Sequence, residues 1–283
     1  MDVSDDILVS WDGLKWFRNP RGIIPREKNL LKIIQSLSDQ SKVFVDVGAH
    51  VGFYAIRMAK QCRWVHAIEP NPESIEILRK NIELNDITNI TIHPYACGAI
   101  RMKSKIYISD TTTTLFQRDD RPSIEVEVAT LDELIHHCDI VKIDVEGWEE
   151  QVLLGAKRLI VEEKPIWLIE HHDVGEGAKH YPETRGMSQR IRNMLSEYRK
   201  ITFDLGRSVY IHESVIDEVP REALRLILKL AVYFKVTQNL ESLRPWYYGL
   251  PYTWWHGMSL VDFMEEVPER VVDEPEWLSA VSE

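Results

Sequence analysis

The chain has few cysteines, no long apolar run and a deficit of basic residues, and each shortage excludes a class of protein. Its three cysteines are odd in number and widely spaced, which disfavours a disulfide framework or a zinc site and favours a reduced, cytoplasmic protein. No apolar run approaches the roughly 20 residues that span a bilayer. The first residues also lack the basic and apolar regions of a signal peptide.

The charge balance argues against general affinity for nucleic acids. With 34 Lys and Arg against 45 Asp and Glu, the formal net charge is −11, so no large basic patch is expected to neutralise phosphates. A length of 283 residues and 44% hydrophobic residues suit one soluble core with an appendage.

The most informative stretch is a predicted strand, glycine turn and helix. Residues 43–47 are β-branched or aromatic except for Asp46, which is typical of a strand buried in a parallel sheet. Gly48 and Gly52 then flank a short turn, and residues 51–60 carry apolar side chains at helical spacing. This geometry points backbone N–H groups at a ligand beyond the strand's carboxyl end.

The spacing of the glycines argues against a dinucleotide. The dinucleotide fingerprint G-x-G-x-x-G requires glycine where His50 stands. Asp46 would repel a pyrophosphate but would suit a ligand with an ammonium and a sulfonium group, and S-adenosylmethionine carries both. The segment resembles the first motif of class I methyltransferases. The alternative is a glycine turn that only packs the helix on the strand.

A second acid marks the end of the next predicted strand. Residues 64–69 read as a strand that ends in Glu69, about 20 residues beyond the glycine turn, where a carboxylate accepts both hydroxyls of an adenosine ribose. The alternative is a solvated residue at a strand end. Asn71 and Pro72 predict a capped helix start, and the small residues at 95–98 offer space for an adenine ring.

The order of predicted elements gives the fold class. Strands alternate with helices, which predicts an α/β fold with a Rossmann-like, doubly wound, mostly parallel seven-stranded sheet. An antiparallel pair at residues 201–205 and 208–212 closes it. Other predicted elements are a front hairpin (7–11 and 14–18), a helix (27–37), an inserted hairpin (106–108 and 124–128) and a helix (149–160). The run Thr111-Thr112-Thr113-Thr114 in the inserted loop is interpreted as flexible, not as a binding element.

Composition divides the chain into three predicted parts. Residues 1–40 pack on the core, residues 41–212 form the cofactor-binding domain, and residues 213–283 form a helical, aromatic extension. The extension contains an apolar helix at 221–234 with basic residues beside it and an aromatic stretch at 246–256. We expect this extension to pack on the core or to form a homo-oligomer interface. Alternatively, it covers the acceptor or contacts a membrane surface.

A second motif specifies the family. Residues 141–149 contain Lys142, Asp144, Glu146, Gly147 and Glu149 in the pattern K-x-D-x-E-G-x-E. Together with the glycine turn, and with the strand at 165–170 that precedes a histidine, this resembles the FkbM-type methyltransferases over about residues 41–173. The resemblance implies an S-adenosylmethionine-dependent enzyme, commonly an O-methyltransferase acting on hydroxyls of sugars, glycans or small metabolites.

The predicted cofactor contacts follow from the two motifs and the acid after the second strand. They are Asp46, Gly48, Ala49, His50, Gly52, Phe53, Glu69, Pro70, Ala96, Cys97 and Asp144.

The predicted catalytic residues are Asp144, Glu146, His171 and His172, which lie where the methyl group must be transferred. Positioning can contribute about 7–11 kcal/mol and a general base about 3–5 kcal/mol, so positioning should dominate. A histidine suits neutral pH best, which favours His171 or His172 as the base with a carboxylate orienting it. In the alternative, Asp144 binds the methionine ammonium and one histidine caps a strand. Lys142 is expected to be structural or paired with a neighbouring acid.

A divalent metal held by Asp144, Glu146, His171 and Asp173 is also considered, but a mechanism without metal ranks higher.

Two other functions are alternatives to methyl transfer. A nicotinamide-dependent oxidoreductase shares the strand–helix–strand unit, although the dinucleotide fingerprint is missing. A non-catalytic binding protein with a degenerate cofactor pocket is the third possibility.

Overall fold

The computed structural model describes residues 7–17, 28–109, 113–118 and 120–238. An antiparallel hairpin of β1 (Ile7–Val9) and β2 (Lys15–Phe17) is followed by helix α1 (Lys28–Leu37). The predicted front hairpin is therefore confirmed. The hairpin is tied to a later helix, because the backbone N–H of Phe17 donates to Asn81 Oδ1 at 2.7 Å.

Seven strands form the main sheet. Their order across the sheet is β12 (Tyr198–Asp204), β13 (Arg207–His212), β11 (Ile166–Glu170), β10 (Ile140–Ile143), β3 (Val43–Val47), β4 (Trp64–Ile68) and β5 (Ile90–His93). The strands from β11 to β5 pair in parallel, whereas β13 is antiparallel to both β11 and β12. The predicted α/β fold with a mostly parallel sheet is confirmed. Since β3 and β10 lie side by side, their carboxyl ends meet at the switch point where such sheets bind ligands.

Successive residues of a strand point to opposite faces of the sheet, and the apolar ones form a core on each face. Phe44 packs with Ile34 of α1 on one side, whereas Val45 packs with Val152 and Ile191 on the other. The remaining helices are α2 (Phe53–Ala59), α3 (Pro72–Leu84), α4 (Leu131–Leu134), α5 (Glu149–Leu154), α6 (Gly175–His180), α7 (Met187–Met194) and α8 (Arg221–Gln238).

The predicted helix at residues 149–160 is too long, because α5 ends at Leu154. At Gly155 the chain passes so close to Gly98 that an added Cβ would lie 2.1 Å from the Gly98 carbonyl oxygen. Glycine is therefore needed there for packing. A separate π-helical turn, Leu159–Glu163, follows.

A second, smaller sheet is inserted between β5 and β10. It contains β6 (Ala96–Cys97), β9 (Ser123–Ala129), β7 (Met102–Ile108) and β8 (Thr113–Thr114), in that order across the sheet. The antiparallel pairing of β7 with β9 confirms the predicted inserted hairpin. The interpretation of the threonine run as a flexible loop is wrong for Thr113 and Thr114, because both pair with β7.

The last described helix packs on the main body. Ala223, Ile227 and Leu230 of α8 belong to the same buried cluster as Leu31 of α1 and Ile201 of β12. The division of the chain at residues 40 and 212 stays a prediction, and the aromatic stretch at 246–256 lies outside the described residues. Within the part of the chain that the structure describes, no helix combines the length and apolar character needed to cross a bilayer.

Candidate active site

A cavity of about 190 Å³ lies at the carboxyl ends of β3, β4 and β10, against the small sheet. Its wall contains residues from both sequence motifs and from the inserted sheet. The lining residues are Val47, Gly48, His50, Ile68, Glu69, Pro70, Tyr95, Ala96, Cys97, Ile106, Thr113, Thr114, Leu115, Asp144, Val145 and Glu146.

The glycine turn is packed tightly against the end of β10. Gly48 has a φ of +83°, and an added Cβ would lie 1.9 Å from the carbonyl oxygen of Asp144. The backbone N–H groups of Gly48 and Ala49 both donate to the Ile68 carbonyl at 3.0 Å. Only glycine therefore allows β3, β4 and β10 to meet this closely at the cavity floor.

Glu69 is a buried carboxylate in the cavity wall. Its Oε2 accepts the His50 backbone N–H at 2.9 Å, and its Oε1 accepts the Asn71 backbone N–H at the same distance. These two bonds fix the carboxylate and leave further lone pairs on both oxygens for hydroxyl donors. Burial raises the pKa of Glu69 to about 7, against the opposing effect of the two backbone hydrogen bonds.

This pKa predicts a pH-dependent affinity for a ribose-containing ligand. Below the pKa the carboxyl is protonated and loses acceptor capacity, so affinity for S-adenosylhomocysteine is expected to rise as the pH rises through about 7. Calorimetry across this range measures the effect. In the variant Glu69→Gln the rise should disappear, and a rise that persists in this variant would assign it to another group.

Asp46 lies beneath the cavity. Its Oδ2 accepts the Ala55 backbone N–H at 3.2 Å and its Oδ1 lies 3.3 Å from Lys142 Nζ, so the carboxylate joins β3 to α2 and β10. Burial raises the pKa of Asp46, although Lys142 opposes this. The structure therefore does not bring Asp46 into the cavity wall, where the sequence placed a cofactor contact.

Lys142 bridges two carboxylates. Its Nζ lies 3.4 Å from Asp144 Oδ2 as well as 3.3 Å from Asp46 Oδ1, and its side chain is 4% exposed. Lys142 is thus paired with neighbouring acids. Burial raises the pKa of Asp144, but Lys142 and His172 outweigh it and lower that pKa below its ordinary value.

Glu146 is held at the cavity edge by groups from two other segments. Tyr181 donates its hydroxyl to Glu146 Oε2 at 2.7 Å, and Thr114 donates its hydroxyl to the Glu146 carbonyl at 3.0 Å. The main chain of Glu146 is left-handed, with a φ of +54°, which is unusual for a residue other than glycine. The small sheet therefore holds the main chain of Glu146, and the segment before α7 holds its carboxylate.

His172 lies behind Glu146, outside the described cavity wall. Its Nδ1 is 2.9 Å from Glu149 Oε1 and its Nε2 is 3.4 Å from Glu146 Oε2. Burial lowers the pKa of His172, but Glu149, Glu146 and Asp144 outweigh this effect and raise it to about 11. The position therefore stabilises a positive charge.

His171 and Asp173 point to other partners. His171 Nε2 lies 3.2 Å from the Tyr210 hydroxyl, and burial lowers the pKa of His171 to about 3. Asp173 accepts the backbone N–H of Ser188 at 2.9 Å and so joins the start of α7. The structure thus brings together Asp144, Glu146 and His172, and leaves His171 and Asp173 apart from them.

Besides Asp46, three predicted cofactor contacts are not among the described cavity-lining residues: Ala49, Gly52 and Phe53. Phe53 instead packs edge to face on Tyr54 and under the guanidinium of Arg57. The sequence did not predict a role in the site for Glu149 or Tyr181. Glu149 belongs to the second motif, which could have indicated it, whereas nothing in the sequence around Tyr181 indicates its contact with Glu146.

The fold is Rossmann-like, and a cavity lies at the switch point of its sheet. The cavity is bounded by a glycine turn, an acid after the second parallel strand and an acidic edge. A family model described as the methyltransferase FkbM domain matches residues 46–202, more than half of the chain. The chain belongs to the FkbM methyltransferase family, as the two motifs predicted. No match to the chain is found among curated proteins.

Several solved structures are similar to this chain at a lower level. The FkbM methyltransferase of Methylobacillus flagellatus KT is 21% identical, with a TM-score of 0.43, and the match covers 62% of this chain and 44% of that one. Trm5b of Pyrococcus abyssi is 15% identical, with a TM-score of 0.44 and coverage of 73% and 56%. TYW2 of M. jannaschii in complex with AdoMet is 14% identical, with a TM-score of 0.38 and coverage of 72% and 82%. The chain therefore spans less than two thirds of the first two proteins.

Proposed function

We propose that this chain transfers the methyl group of S-adenosylmethionine to a hydroxyl of a sugar, glycan or small metabolite. The observation that carries the proposal is the convergence of Gly48, Glu69 and the pair Asp144 and Glu146 on one cavity. Family membership supports methyl transfer. The choice of a hydroxyl and of this class of acceptor rests on the motif resemblance.

The wall residues suit the parts of this cofactor. Glu69 offers a fixed carboxylate to the two ribose hydroxyls, and Ala96 and Cys97 offer a small, buried surface to the adenine ring. The negative edge formed by Asp144 and Glu146 suits an ammonium and a sulfonium group. When bound, S-adenosylmethionine supplies a methyl group on a positively charged sulfur.

The acceptor hydroxyl is expected to lie against Asp144 and Glu146, because both residues line the cavity. The acceptor oxygen forms a bond to the methyl carbon as the carbon–sulfur bond breaks, and the hydroxyl proton passes to a site base or to water. Holding the hydroxyl in line for this displacement contributes more than the base. A histidine base stays a prediction, since neither His171 nor His172 is among the described lining residues.

Calorimetry with S-adenosylhomocysteine tests the cofactor. We expect binding by the natural chain, no comparable binding of NAD, and an affinity about 10- to 100-fold lower in Glu69→Gln, because a charge-assisted pair of hydrogen bonds is lost. Glu73→Gln is the matched control, since Glu73 is exposed in the first turn of α3. Equal affinity in both variants would remove Glu69 from the site.

The acceptor requires a separate experiment. A panel of sugars, glycans and hydroxylated metabolites incubated with methyl-labelled S-adenosylmethionine should yield a labelled O-methyl product. Binding of NAD instead of S-adenosylhomocysteine would favour the oxidoreductase alternative. Cofactor binding without methyl transfer to any hydroxyl compound would favour a different acceptor group or a non-catalytic role.

A further inference from the structure

Three side chains at the ends of two neighbouring strands bring possible metal ligands together. Asp144 and Glu146 follow β10, His172 follows β11, and one ligand atom from each lies within 4.8 Å of the other two. His172 Nε2 is 3.4 Å from Glu146 Oε2 and 4.0 Å from Asp144 Oδ1. The cluster lies at the acidic edge of the cavity, because both Asp144 and Glu146 line it.

Glu149 provides an independent reason to expect a ligand there. Its side chain is fully buried and directed at His172, with Oε1 at 2.9 Å from the ring Nδ1 and Oε2 without a hydrogen-bond partner. Oε1 also accepts the backbone N–H groups of Val145 and Gly147. An ionised carboxylate can only accept, so Nδ1 donates to Glu149 and Nε2 is directed at the other two carboxylates.

If an ion takes the place of the proton on Nε2, three acceptor atoms face one another. One nitrogen and two carboxylate oxygens form a donor set that suits divalent transition metals, and a carboxylate on the second ring nitrogen is the usual orienting partner of a metal-bound histidine. A divalent cation also balances more of the surrounding negative charge than a proton on the ring does.

We propose that Asp144, Glu146 and His172 bind a divalent metal ion such as Mn²⁺, with Glu149 as the positioning residue that orients His172. Three protein ligands leave coordination positions open toward the cavity. The ion's role rests on the proposed methyl transfer. It would bind the acceptor hydroxyl and lower its pKa, which favours acceptors with a second oxygen next to that hydroxyl, as in a vicinal diol.

A Mn²⁺ titration of the tag-free full chain, followed by electron paramagnetic resonance without cofactor or acceptor, tests the site directly. We expect one ion bound per chain. His172→Gln and Glu146→Gln should each weaken binding at least ~10-fold, and Glu149→Gln about 10-fold. Glu162→Gln is the matched control, because that side chain is 66% exposed and belongs to the π-helical turn. Its Mn²⁺ affinity should equal that of the natural chain.

Absence of Mn²⁺ binding in the natural chain would overturn the proposal, as would unchanged binding in both His172→Gln and Glu146→Gln. Glu146 is partly exposed, so its variant carries the test if the buried His172 variant does not fold. Calorimetry with S-adenosylhomocysteine separates this proposal from the proposed function. Mn²⁺ binding without S-adenosylhomocysteine binding would overturn the function and leave the ion site standing.

Discussion

Lys142→Met is expected to lower the free energy of unfolding by about 3–5 kcal/mol, because it leaves the buried carboxylate of Asp46 and the partly exposed carboxylate of Asp144 without their shared cation. Asp46 is fully buried, and Lys142 Nζ lies within 3.4 Å of oxygens on both Asp46 and Asp144. Methionine has a similar length and apolar stem, so the change removes mainly the charge. Urea denaturation at neutral pH measures the loss.

Lys103→Met is the matched control for this substitution. Lys103 also pairs with a carboxylate, Glu125 at 3.1 Å, but its side chain is 65% exposed. Water screens an exposed pair, so Lys103→Met should lower the free energy of unfolding far less than Lys142→Met does. Similar losses in the two variants would show that burial does not set the strength of the Lys142 interactions.

Gly48→Ala is expected to weaken cofactor binding strongly and to lower the free energy of unfolding by about 3 kcal/mol, of which about 1–2 kcal/mol reflects the left-handed backbone. The added methyl group would lie 1.9 Å from the carbonyl oxygen of Asp144, so β3 and β10 must separate at the cavity floor. We expect the affinity for S-adenosylhomocysteine to fall at least ~100-fold, because the turn and the acidic edge both move.

Gly13→Ala separates backbone strain from this contact. Gly13 has a φ of +78°, close to that of Gly48, but a Cβ added there meets no atom within 4 Å. It should therefore cost about 1–2 kcal/mol and leave cofactor affinity unchanged. If both glycine variants lost the same stability and neither lost affinity, the close approach of Gly48 to Asp144 would have no functional importance.

Local patterns in the sequence predicted the parts of the fold that local physics controls. The buried run at 43–47, the capped start of α3 and the Asp-Gly hairpin each appear where expected. The second motif predicted the family because its residues are contiguous in the sequence, within and directly after β10. Helix α5 was overextended because only a contact with Gly98, distant in sequence, explains why the helix ends at Gly155.

The placement of Asp46 could have been predicted from strand geometry. Alternate residues of a strand share a face, so Asp46 lies on the same side as Phe44, where its carboxylate accepts the Ala55 backbone N–H of α2. The roles of Thr114 and Tyr181 could not have been predicted, because both depend on where a segment distant in sequence contacts Glu146.

The two adjacent histidines also have different surroundings: His171 faces Tyr210, whereas His172 faces the acidic edge.

The small sheet has its own buried cluster, Ala96, Ile106, Val126 and Val128, apart from the two clusters that flank the main sheet. Units with separate cores open locally with smaller free energies than global unfolding requires. Because Ala96, Ile106 and Thr114 line the cavity, such an opening would remove one side of the binding site while the glycine turn and Glu69 stay folded. Amide hydrogen exchange in β7 and β9 would then report ligand occupancy, and exchange in β3 and β10 would report global stability.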